Sequence, residues 1–173
     1  MHRHHILRNR KSKMYGTMSA EMTVDVPATK AWKVYGTRQL PKVAEEANSD
    51  FISWVDVVQG DGGAGTILEV VFRPGMGGEM KSFKEKFIVV DNEKRVKEAE
   101  VVEGGFLDLG FTLYRMRFNV IEVEGNEKQC ITRSTIEYEL KEEAAANVEI
   151  ASIKPFTGLM LLCAKYFLRN NDN

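Results

Sequence analysis

Apolar and polar residues alternate along most of the chain before residue 141; beyond it, apolar residues recur every third or fourth position. Thr17 to Val26 alternates loosely and predicts a strand that Pro27 stops. Pro27 suits the first turn of a helix, and Ala28 to Tyr35 then sets Ala31, Val34 and Tyr35 on one side. A second short helix is predicted from Leu40-Pro41 through Ala47. Phe51 to Gln59 and Ile67 to Arg73 are β-branched and aromatic, and predict two strands joined by the turn Gly60-Asp61-Gly62-Gly63-Ala64-Gly65. Pro74 to Gly78 is a loop. Strands follow at Ser82–Asp91, Arg95–Glu103, Leu113–Glu124 and Cys130–Leu140; such close spacing with tight turns predicts an antiparallel meander.

Within the Leu113 run, Tyr114, Met116, Phe118 and Val120 share one face, while Arg115, Arg117 and Asn119 share the other. That sheet is therefore covered on one side only. Glu142 to Leu168 reads as one long helix with Ile153, Phe156, Leu159, Met160, Cys163 and Phe167 turned to the sheet. Pro155 should kink it or make its start irregular. The fold class is α+β: a curved antiparallel sheet against a long C-terminal helix, with two short helices after the first strand.

One position breaks the pattern. Phe83, Glu85, Phe87 and Val89 have the same parity, so their side chains leave one face of a strand. Three of them are large and apolar, which marks the inner face and puts a carboxylate among them. A bare buried carboxylate costs several kcal/mol, so Glu85 must find a partner, keep its proton or line a solvent-filled hollow. An internal cavity is the expectation. Lys97, on the return strand with Ala99 and Val101, is the candidate partner. A three-residue loop, Asn92 to Lys94, would pair Val89 with Lys97 and bring both charges inside; a two-residue loop would pair Ile88 with Lys97 and turn the lysine out. Residue patterns alone leave both registers open. Phe72, Phe83, Phe87, Tyr114, Met116 and Phe118 are the candidate lining, although core packing alone would account for such residues.

Composition narrows the chemistry. The 173 residues fit one domain and carry net charge −1, but Arg3, Arg8, Arg10, Lys11 and Lys13 are gathered before Met14. The expected division is a basic flexible tail over residues 1–13 and a single ligand-binding domain over 14–173. The acidic remainder argues against nucleic acid as the ligand. No apolar run approaches the ~20 residues of a membrane helix, so no membrane partner is expected. Two cysteines, Cys130 and Cys163, suit reduced thiols in a cytoplasmic protein. His2, His4 and His5 are the only histidines; no nearby ligand completes a metal set, and histidine-based catalysis is excluded from the body of the chain. Neither a metal nor a cofactor is expected. The spacing of Gly60 and Gly65 resembles a phosphate loop, but the lysine is missing, a strand follows, and Asp61 would repel phosphate.

Several strings carry a resemblance. Gly60-Asp61-Gly62-Gly63-Ala64-Gly65-Thr66, Lys84-Glu85-Lys86-Phe87, Val90-Asp91-Asn92-Glu93, the Glu103 to Gly110 stretch and Ser134-Thr135-Ile136-Glu137-Tyr138 resemble the plant birch-pollen-allergen superfamily, pathogenesis-related class ten. Within it they look most like the norcoclaurine-synthase-like branch. Gly110-Phe111-Thr112 and Glu143-Ala144-Ala145-Ala146-Asn147 look closer to a norbelladine-synthase-like subgroup. The resemblance implies a helix-grip, START-like fold with seven strands and a large hydrophobic cavity. It also implies condensation of a dopamine- or tyramine-type amine with an aromatic aldehyde. Of the family's catalytic quartet, the Glu falls on Glu85 and the Lys on Lys97, which favours the inward register. Phe83 stands at the Tyr position and Met116 at the Asp position, so imine formation is expected and ring closure is in question. The alternative the family offers is a non-catalytic carrier or sensor of small hydrophobic metabolites. A monomer or weak homodimer is expected.

Overall fold

The computed structural model describes residues 12–169. Its strands are β1 (Lys13–Val24), β2 (Ile52–Gln59), β3 (Ile67–Phe72), β4 (Ser82–Asp91), β5 (Val96–Gly104), β6 (Phe111–Val123) and β7 (Asn126–Lys141). Two short helices, α1 (Ala28–Tyr35) and α2 (Gln39–Ala47), follow β1, and α3 (Lys154–Arg169) ends the fold. All seven strands join one antiparallel sheet in the order β1-β7-β6-β5-β4-β3-β2. The predicted α+β architecture is thus observed, with β1 beginning at Lys13. Residues 1–11 of the predicted basic tail, including the three histidines, lie outside the described residues.

Side-chain alternation explains why the sheet has a dry face. On β6, Tyr114, Met116, Phe118 and Val120 are buried, and Arg115 and Arg117 on the opposite face bridge Glu100, Glu98 and Glu137 of the flanking strands. On β5, Lys97, Ala99 and Val101 take the inner face. Helix α3 lays Leu159, Met160, Cys163 and Phe167 on the interior, where Phe156 meets Phe118 and Phe167 meets Tyr35 of α1.

Three local features differ from the sequence pattern. The long helix expected over Glu142–Leu168 is two pieces: Glu142–Ile150 is a 3-10 segment and α3 starts only at Lys154. Pro155 explains the break, because its ring would collide with the carbonyl of Ala151 if a helix ran through; in the first turn of α3 its missing N–H costs nothing. The β4–β5 turn is longer than either loop considered, since Asp91 pairs with Val96 and leaves Asn92–Arg95 as a four-residue connection. Asp91 Oδ1 accepts the N–H groups of Glu93 (3.1 Å) and Lys94 (2.9 Å), and Arg95 adopts φ 52°. Finally, a bulge between Phe87 and Val89 reverses parity within β4. Val90 therefore turns inward opposite Lys97, whereas Val89, expected inside, is exposed.

Candidate active site

The bulge sets the geometry of the site. Past it, Phe87, Glu85 and Phe83 all point inward, with Phe87 beside Ala99 and Glu85 beside Val101; Lys97 sits across from Val90 on one side and Phe118 on the other. Lys97 and Val101 are about 13 Å apart at the backbone, at roughly 3.3 Å per residue. Between their rows stands Ala99, whose methyl group fills almost nothing, with Met116 as its β6 neighbour. That shortfall of side-chain volume opens a cavity of about 600 Å³, lined by Glu85, Lys97, Ala99, Phe72, Phe83, Phe106, Tyr114, Met116 and Phe118 and closed from below by Phe156 and Leu159 of α3. Exposed Phe51, Met76 and Ile150 line the same cavity and mark its rim.

One wall is a run of aromatic rings. Phe72 meets Phe83 at 5.9 Å between centroids, Phe83 meets Phe106 at 6.0 Å, and Phe106 stacks on Tyr114 at 3.6 Å and 11°. The chain reaches Phe106 through Gly104 and Gly105, both at positive φ; a Cβ on Gly105 would lie 2.7 Å from that of Phe83. Glycine here lets β5 leave the sheet closely enough for Phe106 to lie over Tyr114.

Lys97 is 1% exposed, and its neighbours account for that. Its Nζ donates to the carbonyl oxygens of Tyr35 (3.2 Å) and Thr37 (3.1 Å) and lies 4.1 Å from the centre of the Phe87 ring. Tyr35 is the last residue of α1, so the ammonium sits at the negative end of a helix with two carbonyls and an aromatic face around it. Glu85 retains some accessible surface because it borders the cavity, and its carboxyl has no hydrogen-bond or ion-pair partner among the described residues. Burial pushes its pKa up to about 7, against the opposing pull of the Lys97 charge. Burial likewise lowers Lys97 to about 8, with Glu85 acting the other way. Burial also raises the Tyr114 phenol, and the nearby Glu85 charge adds to it.

Of the residues singled out from sequence, Glu85, Lys97, Phe72, Phe83, Tyr114, Met116 and Phe118 all border this cavity. Phe87 does not: it is fully buried beneath the Lys97 ammonium. Sequence reasoning missed Phe106, Ala99 and the carbonyls of Tyr35 and Thr37. Phe106 belongs to a 3-10 turn (Gly105–Leu109) with no periodicity to betray it, and the carbonyls lie about sixty residues from Lys97.

Residues 13–156 match the family described as pathogenesis-related protein Bet v 1. The chain belongs to the Bet v 1 family. Among its Bet v 1 relatives is norbelladine synthase of Narcissus pseudonarcissus, 42% identical over 160 residues that span 92% of this chain and 96% of that one. S-norcoclaurine synthase 2 of Papaver somniferum is 32% identical over 163 residues, 93% of this chain and 69% of the relative. Norcoclaurine synthase of Thalictrum flavum, solved with dopamine and hydroxybenzaldehyde, superposes with a TM-score of 0.80 at 31% identity, over 99% of this chain and 96% of that one. No helix among the described residues is long and apolar enough to cross a membrane.

Proposed function

We propose that this Bet v 1 protein condenses an aromatic amine of the dopamine or tyramine type with an aromatic aldehyde inside the ring-lined cavity. Glu85 is the base and Lys97 the acid. The carboxylate takes a proton from the amine nitrogen as that nitrogen bonds to the aldehyde carbon. The oxygen takes that first proton back from Glu85 to give the carbinolamine. Lys97 then donates a second, so that the hydroxyl leaves as water while the nitrogen lone pair forms the C=N bond of an iminium, whose N–H proton restores Lys97. The reading is supported above all by an acid and an amine that face one hollow from opposite ends, each pushed towards neutrality. Proton transfer is most effective when donor and acceptor titrate near the working pH. The aromatic wall supplies flat apolar surface for two ring-bearing substrates. Phe83 and Met116 offer neither acid nor base and the Tyr114 phenol keeps its proton, so ring closure falls to Glu85 to take the ring proton. Two buried free thiols support a reducing, cytoplasmic setting.

The test is an assay of purified protein with tyramine or dopamine and aromatic aldehydes. Products are read by mass spectrometry before and after borohydride, which reduces an imine and leaves a closed ring unchanged. The expected result is turnover that falls at least about a hundredfold in Glu85→Gln and in Lys97→Met, as for loss of a general acid or base. Rates no higher than in buffer, or unchanged in both variants, would refute it; saturable binding without turnover would make the protein a carrier.

A further inference from the structure

We infer that this protein carries a second binding site, for a small organic anion, outside the aromatic cavity. The end of α1, the start of α2, the glycine turn between β2 and β3 and the β4–β5 turn enclose a cleft of about 730 Å³. This cleft shares only Pro41 and Val55 with the lining of the aromatic cavity. Lys33, Arg38 and Lys42 face it, and none of the three has an ion pair or side-chain hydrogen bond with a described residue. Three cations set against a single carboxylate in one hollow are unusual on a chain whose overall balance is slightly acidic.

The uncharged groups point the same way. Asn92 Oδ1 accepts the indole N–H of Trp32 at 2.9 Å, and Gln39 Oε1 accepts the hydroxyl of Tyr166 at 3.3 Å. Each amide oxygen thus already takes one hydrogen bond, and each NH2 group is left as a donor for an occupant. Helix α2, nine residues long, starts at this cleft and turns its positive end towards it. The one carboxylate in the lining, Asp61, accepts the N–H of Gly63 at 2.9 Å and keeps its charge, so its repulsion of an anion is set against three cations. The N–H of Gly62 goes to Thr66 Oγ1 at 2.8 Å, so the glycine turn is not a backbone cradle for phosphate. An anion is held here by side chains. Leu68, Val57 and Val90 add apolar surface, which selects a carboxylate or phosphate carried on a compact apolar body rather than a bare inorganic ion.

Phenyl phosphate is a suitable probe and phenol its uncharged control. Backbone amide shifts of the whole protein are followed during titration with each. Expected are saturable shifts at Gly36, Thr37, Arg38, Gly62 and Gly63 with phenyl phosphate but not phenol, weakening as salt is raised. Removing all three cations in K33Q/R38Q/K42Q lowers affinity about tenfold or more, as expected for several part-exposed charge contacts. The single variants give smaller losses in the same direction, and because all three positions are exposed the variants keep their fold. Absence of saturable shifts at those amides overturns the inference. So do shifts confined to amides of the inner cavity such as Ala99 and Tyr114, or an affinity that the triple variant leaves unchanged. None of these outcomes depends on whether the aromatic cavity catalyses anything.

Discussion

Replacing Glu85 with glutamine tests the buried acid without reference to any substrate. Unfolded, the carboxyl titrates near its ordinary value of 4.5; folded, it titrates near 7. Between these two values the folded state holds a proton that the unfolded state has released, so wild-type stability declines as pH rises through that window. At about 1.4 kcal/mol per pKa unit, the shift amounts to about 3 kcal/mol. Glutamine has no proton to keep, so the stability of Glu85→Gln relative to wild type should climb by about 3 kcal/mol between pH 4.5 and 7. In a chain of this size that corresponds to a relative Tm gain of roughly 6–12 °C. Urea unfolding at half-unit pH intervals is the assay, with Cm and m fitted at each point. If the two stability curves run parallel across that range, Glu85 titrates as a surface carboxylate and the reasoning from burial fails.

Other outcomes follow from the same geometry. The activity proposed for Glu85 and Lys97 needs the first deprotonated and the second protonated, so kcat/KM should be bell-shaped with a maximum between pH 7 and 8; a profile flat from pH 6 to 9 would exclude the pair. Ala99→Leu fills the space between the two rows, and calorimetric titration with an aromatic aldehyde should show affinity reduced about tenfold while the fold is kept. Phe106→Ala removes the ring stacked on Tyr114 and should cost about 3 kcal/mol in urea unfolding. Arg117→Ala breaks only bridges on the outer face, and a loss above about 1 kcal/mol would contradict that reading.

How far the residue pattern reached depended on whether local chemistry decided the outcome. Parity along Ser82–Asp91 was enough to place Phe83, Glu85 and Phe87 on the inner face, because a half-covered strand has only two sides. Lys97 was harder. Its orientation rests on a four-residue turn held by Asp91 and on a bulge that no spacing rule announces, and the two effects compensate so that the lysine still ends inside. Pro155 announces an irregular start to the last helix, yet the alanine-rich run after Glu142 reads as part of that helix and forms a 3-10 segment instead. Phe106 had no pattern to be read from. Its place depends on two glycines that let separate strands touch, a property of the folded surface rather than of any window of sequence.

The clamp on Lys97 has a bearing on its survival. A lysine with a depressed pKa in a greasy pocket is ordinarily a good nucleophile, and an aldehyde entering such a pocket would capture it as a dead-end adduct. Here two backbone oxygens hold the nitrogen by two of its hydrogens, and the third N–H of the ammonium is the one left to lend to a substrate. Once that proton is lent the lone pair faces the aldehyde, but closing an adduct to a C=N bond strips at least one of the two tethered hydrogens from the nitrogen. The end of α1 thus acts as a chemical safety catch at the last step, leaving the amine able to lend a proton while opposing its permanent capture by the compounds it handles.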